Sequence, residues 1–163
     1  MKRNIIVFLT GAAVIIALDQ ITKAAIMANF TLHESRSVIN GFFNLVYVMN
    51  PGAAFSFLAD APAAFRSVFF FSVTALAVVL IIYYLVKSKP ESLLIVTSLS
   101  LIFAGAVGNV IDRLRFGSVI DFLDVYAGAW HWPAFNVADS AISIGAALMI
   151  WEMIISRKQE KPS

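Results

Sequence analysis

No cysteine occurs in the 163 residues of this chain. Disulfides, thiol nucleophiles and thiolate metal sites are therefore excluded. Histidine is almost as scarce, with only His33 and His131, far apart in sequence. A histidine-rich zinc site lacks ligands, and a Ser-His-Asp triad has few places to form. No metal and no cofactor is expected. Charge is sparse too: 13% of residues are Asp, Glu, Lys or Arg, against 60% apolar. Soluble domains carry roughly 25% charged residues. With so little polar surface to face water, lipid must be the solvent for much of the chain. A net charge of +2 is too small to argue for nucleic acid, and the basic residues are spread between segments rather than gathered on one face.

What is present is a set of long apolar runs. They predict an all-α membrane protein with four transmembrane helices, at about 5–27, 63–86, 92–111 and 137–156, in one membrane-embedded domain over 1–163. Met1-Lys2-Arg3 before an apolar stretch has the form of a signal peptide. The run continues past Lys23 to Met27, however, and three further spans follow, so the first helix is expected to be retained. Two outer segments, 29–62 and 112–136, join the spans. In the first, Ser37 to Met49 is rich in β-branched and aromatic residues and carries an Asn40-Gly41 turn signal. It is too short and interrupted to span as a helix. A small extracytoplasmic β-sheet is expected there, its apolar face toward lipid or substrate.

Orientation follows from the basic residues. Lys2, Arg3, Lys87, Lys89, Arg157, Lys158 and Lys161 fall on one side if both termini and the middle link lie together, leaving Arg36, Arg66, Arg113 and Arg115 on the other. The richer side is expected to be cytoplasmic.

The polar residues concentrate between Gly105 and Asp139. Asp112, Asp121, Asp124 and Asp139 lie there with Arg113, Arg115, Asn109 and Asn136. A charge near a membrane-length apolar segment costs at least a few kcal/mol unless paired or solvated. Asp121 and Asp139 stand out because each sits among apolar neighbours, Val119-Ile120-Asp121-Phe122-Leu123 and Val137-Ala138-Asp139-Ser140-Ala141. Two close carboxylates share a proton and can act as acid and base on one water. Helix rise brings the polar positions to one level. Asp19 is about 24 Å from Arg3, Asp139 about 27 Å from Arg157 and Asn109 about 30 Å from Lys89, against a hydrocarbon core of about 30 Å. A protease at that depth can receive a peptide adjoining a membrane-embedded signal helix.

Other positions have plainer readings beside the functional ones. Asp19 and Lys23, four apart on the first helix, form either a neutralised boundary pair or a strut beside the site. Asn50 reads as a turn residue before Pro51-Gly52. Gly105 and Gly108 offer a small-residue face for helix packing. Asp112-Arg113 reads as an interfacial ion pair, Arg115 and Asp124 as solvated loop charges, and Trp130-His131-Trp132 as an aromatic anchor.

Five ordered blocks carry a resemblance: Asp19-Gln20-Ile21-Thr22-Lys23, Asn50-Pro51-Gly52-Ala53-Ala54-Phe55-Ser56, Gly108-Asn109-Val110-Ile111-Asp112-Arg113, Val119-Ile120-Asp121-Phe122 and Phe135-Asn136-Val137-Ala138-Asp139. Together they resemble lipoprotein signal peptidase (signal peptidase II), a family of bacterial membrane aspartyl proteases. The resemblance implies an endopeptidase of the bacterial cytoplasmic (inner) membrane, with both termini cytoplasmic and the active site at the outer face. It implies removal of the signal peptide from diacylglyceryl-modified prolipoproteins, cutting before the lipidated cysteine. Asp121 and Asp139 map onto the catalytic pair, and Asp19, Lys23, Asn50, Gly52, Asn109, Arg113 and Asn136 onto substrate-binding or site-supporting positions. The partners it implies are the lipid-modified substrate and membrane lipid, and a monomer is expected. The rival classes are a small transporter or channel, which would need charges distributed through the membrane depth, and a non-enzymatic assembly factor that presents the β-element to a partner.

Overall fold

A computed structural model of the chain describes residues 2–53, 57–87 and 92–159. Met1, Ala54-Phe55-Ser56 of the second block, the link 88–91 with Lys89, and the tail 160–163 with Lys161 lie outside the described residues. Four long helices carry the fold: α1 (Lys2–Asn29), α2 (Ala63–Lys87), α3 (Leu93–Phe116) and α4 (Val137–Gln159). All four are long and apolar enough to cross a membrane. Four strands, β1 (Ser35–Ile39), β2 (Phe43–Asn50), β3 (Val119–Ala127) and β4 (Trp130–His131), form an antiparallel sheet in the order β1-β2-β3-β4.

Helix α3 is the axle. It packs against α1, α2 and α4, and its buried positions include Val96, Ser98, Leu99, Ser100, Ala104, Gly105, Gly108, Asn109 and Asp112. Small residues dominate because lipid solvates apolar side chains as well as another helix does, so only close backbone approach favours packing. A Cβ at Gly105 would collide with the carbonyl oxygen of Ala138, and one at Gly108 would stand 2.6 Å from Oδ2 of Asp19. The small-residue face is thus real packing, against α4 and α1. Deeper in the bundle, Ser100 Oγ donates to the Phe8 carbonyl at 2.7 Å, beside a cluster of Phe8, Ile81, Val96 and Leu99. On α1 the buried residues Phe8, Ala12, Asp19, Lys23 and Ile26 fall at helical spacing on one stripe.

Two boundaries differ from the sequence expectation. Helix α3 continues past 111 to Phe116 and ends at Gly117, whose φ of 71° supplies the left-handed cap. Asp112 and Arg113 therefore lie on a helix rather than in an outer loop. The sheet is also larger than the expected 37–49 hairpin: β3, from the expected 112–136 segment, is one of its two inner strands. Val119, Ile120, Asp121 and Phe122 are all buried, so the alternation that marks a half-exposed strand is absent from this sequence. The first hairpin follows expectation, with Asn40-Gly41 between β1 and β2.

Candidate active site

The first turn of α4 shapes one half of the site. Asn136 precedes the helix, and its Oδ1 accepts the backbone N–H of Asp139 at 2.9 Å. Asp139 returns the bond, Oδ2 accepting the backbone N–H of Asn136 at 3.3 Å. This is a reciprocal capping box that satisfies two donors of the helix end. It also fixes the Asp139 carboxylate where the helix dipole favours negative charge. The second Asp139 oxygen accepts Nδ2 of Asn109, from α3, at 2.8 Å.

Strand β3 supplies the other half. Asp121 stands opposite Val48, next to an irregularity in the β2–β3 register between Leu45 and Val48. Such bulges re-aim side chains. Its Oδ1 accepts Nδ2 of Asn136 at 2.8 Å, and its Oδ2 accepts Nδ2 of Asn50 at 2.9 Å. Asn136 thus touches both aspartates, through its amide nitrogen on Asp121 and its oxygen on the Asp139 backbone. Burial, and next the nearby charge of Asp139, push the Asp121 carboxyl up to about 7. Both aspartates line one cavity of about 640 Å³. Asn50, Asn109 and Arg113 add polar groups to its wall, and Phe70, Ile142 and Ile144 add apolar ones.

Arg113 frames the cavity. Its guanidinium donates through Nη2 to the Gly52 carbonyl at 2.8 Å and lies 4.2 Å from the centre of the Phe70 ring. Gly52 in turn donates its N–H to Oδ1 of Asn50 at 3.0 Å. A Cβ at Gly52 would collide with the Phe57 carbonyl. Asn50 is therefore both the turn residue its sequence context predicts and a donor to Asp121.

Behind the cavity lies a second polar layer. Lys23 is 1% exposed, and its Nζ sits 2.8 Å from Oδ2 of Asp19 and 2.7 Å from Oδ2 of Asp112. It also donates to Oδ1 of Asn109 at 3.3 Å, which orients that amide toward Asp139. A lysine this deep needs such pairing to stay buried with its charge.

A family model described as Signal peptidase (SPase) II matches residues 11–155. The chain belongs to the signal peptidase II family. A lipoprotein signal peptidase of Syntrophus aciditrophicus is 54% identical over 98% of this chain and 99% of its own length. That of Geobacter metallireducens is 46% identical over 98% of each. A bacterial membrane enzyme solved by the in meso method at 2.3 Å superposes with a TM-score of 0.86 at 32% identity, over 96% of this chain and 92% of that one. The family is one of proteases, and the four apolar helices make this member a membrane protein.

Within this signal peptidase II fold, Asn50, Gly52, Asn109, Arg113, Asp121 and Asp139 all border the cavity, and Asn136 bonds to both aspartates. Asp19 and Lys23 are not in the wall; they form the strut behind it. Two sequence expectations change. Asp112 is not an interfacial partner of Arg113 but a fully buried partner of Lys23, because α3 extends and turns it inward. Asp124 is not solvated: it is buried on β3 and bonded to Asn44 and His131. Trp132, expected as part of an aromatic anchor, borders the cavity as well. Sequence reasoning passed over Gln20 and Asp112 as site components. Asp112 follows Asn109 at helical spacing, but only the extension of α3 past 111 puts the two on one face.

Proposed function

We propose that this protein removes the signal peptide from diacylglyceryl-modified prolipoproteins at the outer face of the bacterial cytoplasmic membrane. The cut falls before the lipidated cysteine and the mechanism is that of an aspartic protease. The observation that carries this reading is the pairing of Asp121 and Asp139 across one cavity, tied by Asn136, with the Asp121 proton held up to about 7. The two environments favour different forms. Both accept two N–H groups, but Asp139 lies in the first turn of a helix, where the dipole favours the carboxylate. Asp121, on a buried strand, is suited to the acid.

The chemistry follows from that division. Asp139 takes a proton from water as the oxygen attacks the scissile carbonyl carbon. Asp121 gives its proton to the departing nitrogen as the carbon–nitrogen bond breaks. Passage of a proton from Asp139 back to Asp121 restores the pair. The amides of Asn50, Asn109 and Asn136 hold both carboxyls in place, and Arg113 is placed to take a substrate carbonyl. Phe70, Ile142 and Ile144 offer an apolar wall to the signal helix or the acyl chains. All of this resides in one membrane-embedded domain acting as a monomer.

The test is incubation of purified protein with a diacylglyceryl-modified precursor peptide, read by mass. Loss of the signal peptide with a new N-terminus at the modified cysteine is expected, and no cut in the unmodified peptide. A cut elsewhere, or none in the modified peptide, overturns the substrate assignment. For orientation, single cysteines at Ser35 and Gly128 should react with an impermeant reagent outside intact cells; protection of both would reverse the topology.

A further inference from the structure

The two cavity aspartates have buried counterparts one layer back. Asp19, 0% exposed, accepts through Oδ1 the backbone N–H of Ala138 at 2.9 Å. Ala138 is the residue immediately before Asp139. Asp112, 1% exposed, accepts through Oδ2 the backbone N–H of Ile120 at 3.2 Å. Ile120 is the residue immediately before Asp121. Each buried carboxylate therefore grips the backbone next to one cavity carboxylate. The grips are cross-linked twice: Lys23 Nζ binds both carboxylates, at 2.8 and 2.7 Å, and Gln20 Nε2 donates to both, at 3.1 Å each.

We propose that Asp19, Gln20, Lys23 and Asp112 form a clamp of positioning residues that sets the separation and orientation of Asp121 and Asp139. The four come from α1 and α3, while the aspartates they place come from α4 and β3. A backbone bridge between Leu123 and Phe135 already ties β3 to the segment just before α4, on the cavity side of the chain. The clamp adds a second hold from behind, on the residues immediately before the two aspartates. It also explains why four polar residues are retained in an apolar bundle without touching the cavity. Apolar replacements of similar volume are often neutral or stabilising for a buried ion pair, so stability is not the evident reason. Gly108 belongs to the same device, since any side chain there would press on the Asp19 carboxylate.

This inference rests on the proposed catalytic pair, so its test needs one readout independent of cleavage. Asp112→Asn removes one of the two charges that hold Lys23, and Gln20→Met removes one cross-link without changing charge. For folded Asp112→Asn, kcat should fall on the order of 100-fold, the cost of misplacing reacting groups by about an ångström. KM should stay within about twofold, because the cavity wall is untouched. Gln20→Met loses two hydrogen bonds to carboxylates and should cost at least about tenfold in kcat. Independently, the Asp121 carboxyl can be titrated by carbon NMR of labelled aspartate, assigned by its loss in Asp121→Asn. In Gln20→Met its midpoint should move down, because a relaxed pair repels less. If Asp121→Asn and Asp139→Asn still cleave, the catalytic reading fails, and the titration alone judges the clamp. An unchanged midpoint in Gln20→Met, or wild-type kcat and pH profile in both variants with only lower thermal stability, overturns it.

Discussion

Helices α2 and α3 are both of membrane length and both strongly apolar, yet they play opposite parts. In the apolar window of α3, 44% of residues are buried inside the protein, against 11% for α2. Among its described residues α2 buries only Ile81, and it presents Val68, Val73, Leu76, Val79 and Leu80 outward. Hydrophobicity therefore does not decide which span becomes scaffold. Small and polar positions do, because they gain something from a neighbouring helix that lipid cannot offer. Helix α3 has Gly105, Gly108, Ser100, Asn109 and Asp112 for this purpose. Helix α2 has serines and alanines but no glycine, asparagine or carboxylate, and it contributes Phe70 to the cavity as a wall.

The contrast is broken most severely at the pair that the scaffold serves. On the proposed mechanism, Asp121→Asn and Asp139→Asn should each lower cleavage on the order of 1000-fold or more, since each would remove a proton-transfer group. The double variant should be little worse than either single one, because the pair acts as a unit. Near-normal processing of a precursor peptide by either single variant would sink the mechanism.

Next in size is the effect of pH. With Asp121 required as the acid and its carboxyl at about 7, kcat/KM should fall with a slope approaching one decade per unit above that value. Two units higher, the loss should be about 100-fold. The sign carries over to stability. The folded chain holds this proton more tightly than the unfolded one, so the contribution is full below the ordinary carboxylate range. It is then lost as pH rises through about 7. A pH–rate profile flat from 6 to about 9 would contradict the assignment of Asp121 as the acid.

Smaller, but confined to the scaffold, is Gly108→Ala. The added methyl would stand 2.6 Å from Oδ2 of Asp19, whose carboxylate is held by Lys23, Gln20 and Ala138 and cannot swing away. A loss of about 1–3 kcal/mol in stability is expected for overpacking of this kind. Thermal unfolding in detergent measures it, and a variant as stable as wild type would show that the layer yields. The smallest effect belongs to α2. Leu76→Ala, at a position 60% exposed, should change stability by less than about 0.5 kcal/mol and leave kcat alone. A large loss there would mean that α2 is scaffold after all.

Much of this was legible before any coordinates. The four spans could be read from run length alone, because lipid imposes a minimum apolar length on any helix that crosses it. The hairpin at Asn40-Gly41 announced itself through turn chemistry. Asp121 and Asp139 could be singled out because a carboxylate among apolar neighbours needs a reason. The end of α3 and the strand β3 were not legible. Nothing in Asp112-Arg113-Leu114-Arg115-Phe116 marks a helix interior over a loop. Residues Val119 to Phe122, buried on both faces, lose the alternation by which a strand is recognised.

The sequence by itself determined the solvent, the number of apolar spans, the absence of thiol chemistry and the supply of carboxylates near two helix ends. Only the tertiary structure decided which carboxylates face the cavity and which stand behind it. Asp19, Asp112, Asp121 and Asp139 are the same residue type. Their roles separate through partners distant in sequence: Asp19 on the Ala138 amide, Asp112 on the Ile120 amide, Asp121 on Asn50 and Asp139 on Asn109. A carboxylate's chemistry depends on which donors surround it and how far water is excluded, and both are set by packing between elements rather than by neighbours along the chain.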